Sequence, residues 1–513
     1  MEIVLGPPGT GKTTYLLEQM ERELDAGVLP ERISFVSFTK RAATEAKTRA
    51  VEKFALTEKD MPWVSTLHSM CFRSLGLKPE QVLQGEALRA FSDWLDVKLS
   101  TGSTLTSWLD GALDEESVGF LPGDRTLTMD NLARVQGITF SEQHGRNSDG
   151  LVWQDADELS RSLAVYKQDM GLFDYTDMLA QFVERGGASV VRPEVLIVDE
   201  AQDLSMLQWR VVGALAKSAR RVVVAGDDDQ AIYRWAGAAV DHFIGLPGDV
   251  TVLGHSWRVP PEVQDVALRV ARRIAHRRPK KWAAREGSGS VMNVGTFGTV
   301  PVDVNEDTLI LARNKCFLRD DVRPSLMSNG ILYEYLGEPS VRQNVIDAIV
   351  AWERLRRGGT VTVTEAEGIY DQMSVGEGYV RGHKKLPAWP DREQMVTLSD
   401  LKQAGGLKTD AIWHEALTRV RVEERVYMVA VLKGGQKLTE RPKVKVSTIH
   451  GAKGGQADHV ILLTDVAPRT MRAMKADLVV DDDEARVWYV AATRTKQMLT
   501  IVAPQNTRRA YRL

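Results

Sequence analysis

Cysteine is nearly absent from this chain: its 513 residues include two, Cys71 and Cys316. A disulfide framework and a cysteine-based zinc site are therefore excluded, and a reducing, cytoplasmic setting is the expected one. Long apolar runs are missing as well. No stretch approaches the ~18–20 apolar residues that a membrane span needs. Met1 to Leu5 leads straight into a glycine loop, without the basic and apolar regions of a signal peptide. An excess of charge of one sign is also lacking, with Lys+Arg 66 against Asp+Glu 69 and a formal net charge of −3. That balance excludes a chain basic all over but leaves room for a local nucleic-acid groove, because clustering matters more than the sum. The nine histidines show no metal-ligand spacing. What remains, 43% hydrophobic and 26% charged residues, is the composition of a soluble globular protein long enough for several domains.

The chain begins as strand, loop, helix. Ile3-Val4-Leu5 reads as a buried strand, Gly6 to Gly11 as a loop, and Lys12 onward as a helix up to about Gly27. Ile33 to Phe38 repeats the strand signal ahead of an alanine-rich helix, and this alternation predicts a parallel α/β sheet. Further strand-like runs are Val195-Leu196-Ile197-Val198 and Val222-Val223-Val224-Ala225. A later set comprises Leu309-Ile310-Leu311, Val444-Lys445-Val446, Val460 to Leu463 and Leu499 to Val502. The early and late groups predict two α/β cores. Residues 76–164 and 346–440 differ in character and read as insertions, the first carrying an acidic patch at Asp114-Glu115-Glu116.

Gly6-Pro7-Pro8-Gly9-Thr10-Gly11-Lys12-Thr13 matches G-x-x-x-x-G-K-[ST] between a strand and a helix, the context the motif requires. Its glycines let backbone N–H groups curl around phosphate oxygens, and the helix that follows presents its positive end to the same anion. Lys12 would reach the β- and γ-phosphates, and the Thr13 hydroxyl would ligate Mg²⁺. An apolar strand ending in Asp199-Glu200-Ala201-Gln202-Asp203 supplies the other half of an ATPase site. Asp199 would hold the metal and Glu200 would face the attacking water. The separation of Lys12 from Asp199 implies a domain inserted within the first sheet.

Together with these two motifs, further segments resemble the UvrD/PcrA/Rep type of superfamily 1 DNA helicases. Phe38-Thr39-Lys40-Arg41-Ala42-Ala43 is similar to that family's motif Ia, and Ser65 to Cys71, with His68, to motif Ib. Phe173 to Leu179 resembles the segment ahead of motif II, and Asp199 to Asp203 resembles motif II itself. Gly226 to Trp235 looks like motif III, and His255-Ser256-Trp257-Arg258 like motif IV. Thr448-Ile449-His450-Gly451-Ala452-Lys453-Gly454 resembles motif V, and Tyr489 to Arg494 motif VI.

The resemblance implies an α/β fold of two RecA-like P-loop NTPase domains with parallel sheets, each carrying a mainly helical insertion. Domain 1A would be 1–75 and 165–250, 1B 76–164, 2A 251–345 and 441–513, and 2B 346–440. It also implies an ATP- and Mg²⁺-dependent DNA helicase moving 3′ to 5′ on single strands and unwinding duplex by closure of the 1A/2A cleft. Arg258 and Arg494 would reach the γ-phosphate, Gln230 would sense it, Trp257 would stack on adenine and Gln456 would lie by the ribose. Phe38 and Trp235 would stack on bases, at about 1–3 kcal/mol per base. Thr39, His68, Tyr233, Thr448 and His450 fall in motifs that the family uses on DNA. The implied partners are single-stranded DNA, single/double-strand junctions and replication or repair proteins, with no membrane, and the chain is expected to be a monomer in solution. Competing readings are a translocase that strips proteins with little unwinding, a nucleotide-gated DNA-binding module, and a P-loop kinase, which leaves motifs IV to VI unexplained.

This sequence departs from the family pattern in three places. It starts at Met1, without the glutamine-bearing segment that reads adenine upstream of the loop, so tolerance for other nucleotides is expected. Gln456 stands where a glutamate is usual, and Ala236 where an arginine often follows the tryptophan. Two charge clusters stand apart from the motifs. The basic run Arg272-Arg273, His276-Arg277-Arg278, Lys280-Lys281 and Arg285 would bind phosphates or form a solvated helix face. Asp481-Asp482-Asp483-Glu484 reads as acids at a helix N-terminus that complement the macrodipole.

Overall fold

Every apolar run named above is a strand, for a local reason: β-branched residues in short unbroken runs suit strands buried on both faces. The computed structural model describes residues 1–38, 40–57, 59–100, 121–187 and 190–513. Thr39 and the acidic patch Asp114-Glu115-Glu116 lie outside the described residues. The first sheet contains β1 (Glu2–Leu5), β2 (Ile33–Ser37), β3 (Val64–Thr66), β4 (Val195–Asp199), β5 (Arg221–Gly226) and β6 (Asp249–Val252). Its order is β3-β2-β4-β5-β1-β6, with every pairing parallel. All six strands therefore end on one edge, which gathers Gly6, Asp199 and Gly226 at the place where open α/β sheets bind ligands.

The second sheet is built from β7 (Ser290–Val294), β8 (Thr308–Ala312), β9 (Tyr333–Tyr335), β10 (Glu338–Pro339), β13 (Val444–Thr448), β14 (Ala457–Leu463) and β15 (Thr495–Val502). It runs β10-β9-β13-β8-β14-β15-β7, parallel except for the β9-β10 hairpin. Strands β11 (Val361–Thr362) and β12 (Met395–Val396) form a small antiparallel ribbon. The chain between β10 and β13 packs Trp352, Leu355 and Tyr370 into one continuous core with Ile310, Val446 and Ile461 of the second sheet.

The helices Gly85–Trp94, Pro122–Gln136 and Trp153–Met170 close around their own small core, with Phe91, Leu127, Leu159 and Leu163 at its centre. An ion cluster ties this group to the helix Tyr175–Glu184 of the first unit. Lys167 Nζ stands 2.6 Å from Asp174 and 2.7 Å from Asp177, and Arg134 lies 2.6 Å and 3.0 Å from the same two acids. Burial pushes the Asp174 carboxyl up, but Arg134 and Lys167 outweigh it and hold the group well below the usual carboxylate range. Its stabilising contribution is thus present above the ordinary carboxylate range and fades only as pH falls through the lowered value. Arg134→Met is expected to cost about 2 kcal/mol, because it removes one cation from a mostly buried cluster. A denaturation midpoint identical to wild type would show that Lys167 suffices.

The structure corrects the acidic run in part: Asp481 does lie in the first turn of the helix Leu478–Ala492, but the three acids after it do not. The cap of the helix Leu478–Ala492 is Asp477, which accepts from the Val479 N–H at 2.8 Å. Beyond the first turn, Asp482 accepts the N–H groups of Ala275 and His276 at 2.8 and 2.9 Å. Asp483 pairs with Arg234 and Arg486, and Glu484 with the buried Arg313. These three acids therefore fix tertiary contacts rather than complement a helix end.

Candidate active site

The phosphate loop is braced from both sides. Gly6 N–H donates to Gly226 O at 3.0 Å, and the Thr10 hydroxyl donates to Pro7 O at 2.8 Å. From beyond β6, the Ser256 hydroxyl donates to Pro8 O at 2.7 Å and Trp257 N–H to Gly9 O at 2.8 Å. Gly9 has φ +73°, and a Cβ placed on it would meet the Arg258 Cβ at 2.4 Å. The motif IV backbone thus packs directly on the loop, and only glycine leaves room for it. Lys12 Nζ donates to Gly6 O at 3.0 Å and lies 3.8 Å from Glu200.

The end of β4 places two carboxylates opposite the loop. The Thr13 hydroxyl donates to Asp199 at 3.3 Å. Glu200, at φ +50°, turns the chain into the short helix Ala201–Asp203 and accepts the Gln202 amide at 2.6 Å. Burial first, and then the Glu200 charge beside it, push the Asp199 carboxyl up to about 7 against the pull of Lys12. Burial acts the same way on Glu200, but Lys12, Lys453 and Arg494 outweigh it and hold that carboxyl at about 2. A divalent cation beside Asp199 would reverse the first shift. Among the described residues no group of three or more His, Cys, Asp or Glu could hold a metal ion by itself. One carboxylate and one hydroxyl beside a phosphate loop fit Mg²⁺, which takes few protein ligands and completes its shell with phosphate oxygens and water.

Three cations reach the same edge from the other side of the cleft. Arg494 Nη2 donates to Gln230 Oε1 at 2.8 Å, and Gln230 Nε2 donates to Asp227 at 2.7 Å. The other Arg494 acceptors are the carbonyls of Val490 and Gly455. Burial first, and then Arg258, push its guanidinium down to about 9, with Glu200 opposing. The buried Arg258 Nε has no hydrogen-bond partner among the described residues. Two guanidiniums converging with no carboxylate bonded to either among the described residues are a setting that an anion would relieve. The third cation, Lys453, binds Asp203 at 2.6 Å and the Gln230 carbonyl at 2.8 Å, and stands 4.7 Å over the Tyr233 ring.

The aromatic residues assigned to DNA form a connected row. Phe38 stacks on Tyr233 at 5.7 Å, Tyr233 meets Trp235 edge-on at 6.4 Å, and Trp235 meets His450 at 6.2 Å. Phe38, Trp235 and His68 are partly exposed, whereas Tyr233, Thr448 and His450 are buried. The Thr448 hydroxyl accepts the Gly451 N–H at 3.1 Å. His68 lies edge-on to Tyr175, with ring centroids 6.0 Å apart. Gly237, at φ +97°, follows the row, and a Cβ there would meet Val135 at 2.8 Å, so the helix Pro122–Gln136 seats on the motif III loop. Trp257 is 75% exposed, with its ring edge-on to His255 at 4.5 Å. Gln456 is exposed, next to the Gly455 carbonyl that binds Arg494.

The basic run divides: Arg272, Arg273, His276 and Lys281 are exposed, as a solvated face expects, whereas Arg277, Arg278 and Lys280 turn to internal partners and present no phosphate patch. Arg277 pairs with Asp229, Lys280 with Asp227, Asp228 and Asp229, and the Arg278 guanidinium with the carbonyls of Ile244 and Leu246. Sequence reasoning missed Ser256, Gln202, Asp203, Lys453 and Lys280 as parts of the site. Four of them stood inside quoted motifs, where a hydroxyl, amide or charge beside a glycine loop was a usable signal. Lys280 carried no such signal.

The family model described as the UvrD/REP helicase N-terminal domain matches residues 2–250. The model for the UvrD-like helicase C-terminal domain matches residues 422–506. The "ATP-dependent DNA helicase PcrA" of Leuconostoc citreum is 25% identical over 354 residues, covering 64% of this chain and 44% of the relative. The protein of the same name from Bacillus subtilis (strain 168) is 27% identical over 298 residues, covering 54% and 38%. A "Probable DNA helicase" of Mycoplasma pneumoniae is 26% identical over 260 residues, covering 48% of each chain. The match thus spans less than half the length of these relatives. With two parallel sheets, a braced phosphate loop and both family models matched in order, the chain belongs to the UvrD/REP helicase family.

Proposed function

We propose that this chain is an ATP-driven motor on single-stranded DNA that moves 3′ to 5′ and opens duplex at single/double-strand junctions. The observation that carries the reading is Gln230, bonded at once to Asp227 of the first unit and to Arg494, which directly precedes β15 of the second sheet. A γ-phosphate lying between Lys12, Gln230, Arg258 and Arg494 would meet donors from both units, so the site is complete only when the cleft is closed. Thr13 and Asp199 would hold Mg²⁺, which when bound would neutralise phosphate charge. The phosphates compete for the Lys12 ammonium, which frees the Glu200 carboxylate to orient a water and take its proton. Lys453 touches both the Gln230 carbonyl and the Tyr233 face, and so joins the nucleotide edge to the aromatic row. Bases would stack on the exposed parts of Phe38 and Trp235, with Tyr233 and His450 as buried supports and His68 on the backbone track. Trp257 offers an open face to adenine, and Gln456 lies at the ribose side. No helix among the described residues is long and apolar enough to cross a membrane. The reading takes the cytoplasm as compartment, a monomer in solution and replication or repair proteins as partners. The names of the helicase relatives support it.

The test measures ATP turnover with and without single-stranded DNA, alongside unwinding of 3′-tailed and 5′-tailed duplexes. Stimulation by the strand and unwinding of the 3′-tailed substrate are expected. Stimulation without unwinding would favour a protein-stripping translocase, and no stimulation would remove the motor reading.

A further inference from the structure

The Lys280 side chain turns into the molecule, although the residues around it in sequence are strongly basic. Its side chain has no solvent exposure, and its Nζ stands 3.1 Å from Asp227, 2.5 Å from Asp228 and 3.0 Å from Asp229. Those three acids follow β5 directly and are themselves fully buried. Arg277 closes the other side of the cluster through Asp229, with Nε 2.7 Å from Oδ1. Arg278 N–H donates to Asp228 at 2.7 Å. From the helix Leu478–Ala492, Arg486 binds the Asp228 carbonyl at 2.9 Å and the His276 carbonyl at 2.6 Å. The Tyr489 hydroxyl, buried near the same acids, has no hydrogen-bond partner among the described residues.

The segment that delivers Lys280 is anchored on the far side of the cleft. Asp482 holds the N–H groups of Ala275 and His276, Trp282 packs in the core of the second sheet, and Arg285 donates to Lys496 O at 2.9 Å. The acids it meets belong to the first sheet. Three successive carboxylates in one buried turn repel one another, and without a cation the turn would have to open or take up protons. That turn is the mount of Gln230. Asp227 Oδ2 holds the Gln230 amide at 2.7 Å, Oδ1 holds Asp229 N–H at 3.2 Å, and Asp227 N–H donates to Gln202 Oε1 at 3.0 Å. Among the described residues the hydrogen bonds and ion pairs of the cluster do not include Lys12 or Thr13, so binding of a diphosphate is served by other residues.

We infer that Lys280 is a positioning residue for the nucleotide chemistry: its ammonium, carried by a strap from the second unit, neutralises Asp227, Asp228 and Asp229 and keeps Gln230 in register with Arg494. This rests on the proposed function only in taking the Gln230–Arg494 pair as the place of the γ-phosphate.

The test compares Lys280→Met, which keeps the stem and removes the charge, with Lys280→Met/Asp228→Asn, which also relieves one buried carboxylate. Thermal unfolding, ADP and ATP affinities, and kcat with and without single-stranded DNA are measured on the full chain. In a variant that still unfolds cooperatively, kcat is expected to fall about tenfold or more with KM little changed. ADP affinity should stay near wild type while the preference for ATP over ADP shrinks. A folded variant with wild-type kcat and nucleotide preference overturns the inference. Parallel loss of ADP and ATP binding overturns it too, as does failure of both variants to fold, since each makes Lys280 a structural ion only. Single-stranded DNA leaving wild-type turnover unchanged would sink the motor reading alone, because the ATP-over-ADP preference is read without DNA.

Discussion

Glu200→Gln is expected to reduce kcat for ATP by a factor of about 10²–10⁴, the usual contribution of a positioned general base. Glutamine keeps the size of the side chain and an oxygen that can accept the Gln202 amide, so the turn at φ +50° has no steric reason to change. What disappears is the negative charge 3.8 Å from Lys12. That charge competes with phosphate for the ammonium, so ATP affinity should hold or rise as turnover falls. Equilibrium binding and single-turnover hydrolysis on the same preparation separate the two effects. Turnover within about threefold of wild type would remove Glu200 as the base, since a loss that small is far below the range for one. A parallel loss of ATP binding would mean instead that the carboxylate shapes the site.

Arg494→Ala is expected to lower hydrolysis by about 10³-fold or more, the range for an arginine that stabilises phosphoryl-transfer charge. Arg494→Lys should recover only part of this, because a lysine cannot reproduce the fork that meets Gln230, Val490 and Gly455 together. Stability gives a second and independent readout. In the structure the Arg494 guanidinium is pushed down to about 9 by burial and by the neighbouring Arg258. Removing it relieves that crowding but also strips a donor from Gln230, Val490 and Gly455, so the two effects oppose and the thermal midpoint without nucleotide should change little. A large drop in the midpoint with only a modest loss of hydrolysis would make Arg494 a structural residue. ADP affinity should change little, since the γ-phosphate is the group it would meet.

The residues differ in how far their roles were readable from the chain. Gly6 to Thr13 was legible because a phosphate loop is local: the glycines, the lysine and the helix start lie within eight successive residues, and the backbone alone makes the cradle. The apolar runs were legible for the same reason, since an unbroken β-branched segment reports burial on both faces wherever it is placed. Asp199 and Glu200 needed one long-range assumption, that their strand lies in the sheet of β1. Pairing of β4 and β1 on either side of β5 meets it.

Lys280 and Asp482 were not legible, because residue type does not report burial. A basic run reads the same whether it faces water or three buried aspartates, and an acidic run reads the same at a helix end or against a neighbouring backbone. By itself, then, the sequence determined the two parallel sheets, the phosphate loop, the paired carboxylates and the family. Tertiary structure alone decided which charges face each other across the cleft. Arg258, Arg494, Lys453 and Lys280 come from distant parts of the chain, and their ionisation and their roles depend on partners that only packing brings within a few ångströms.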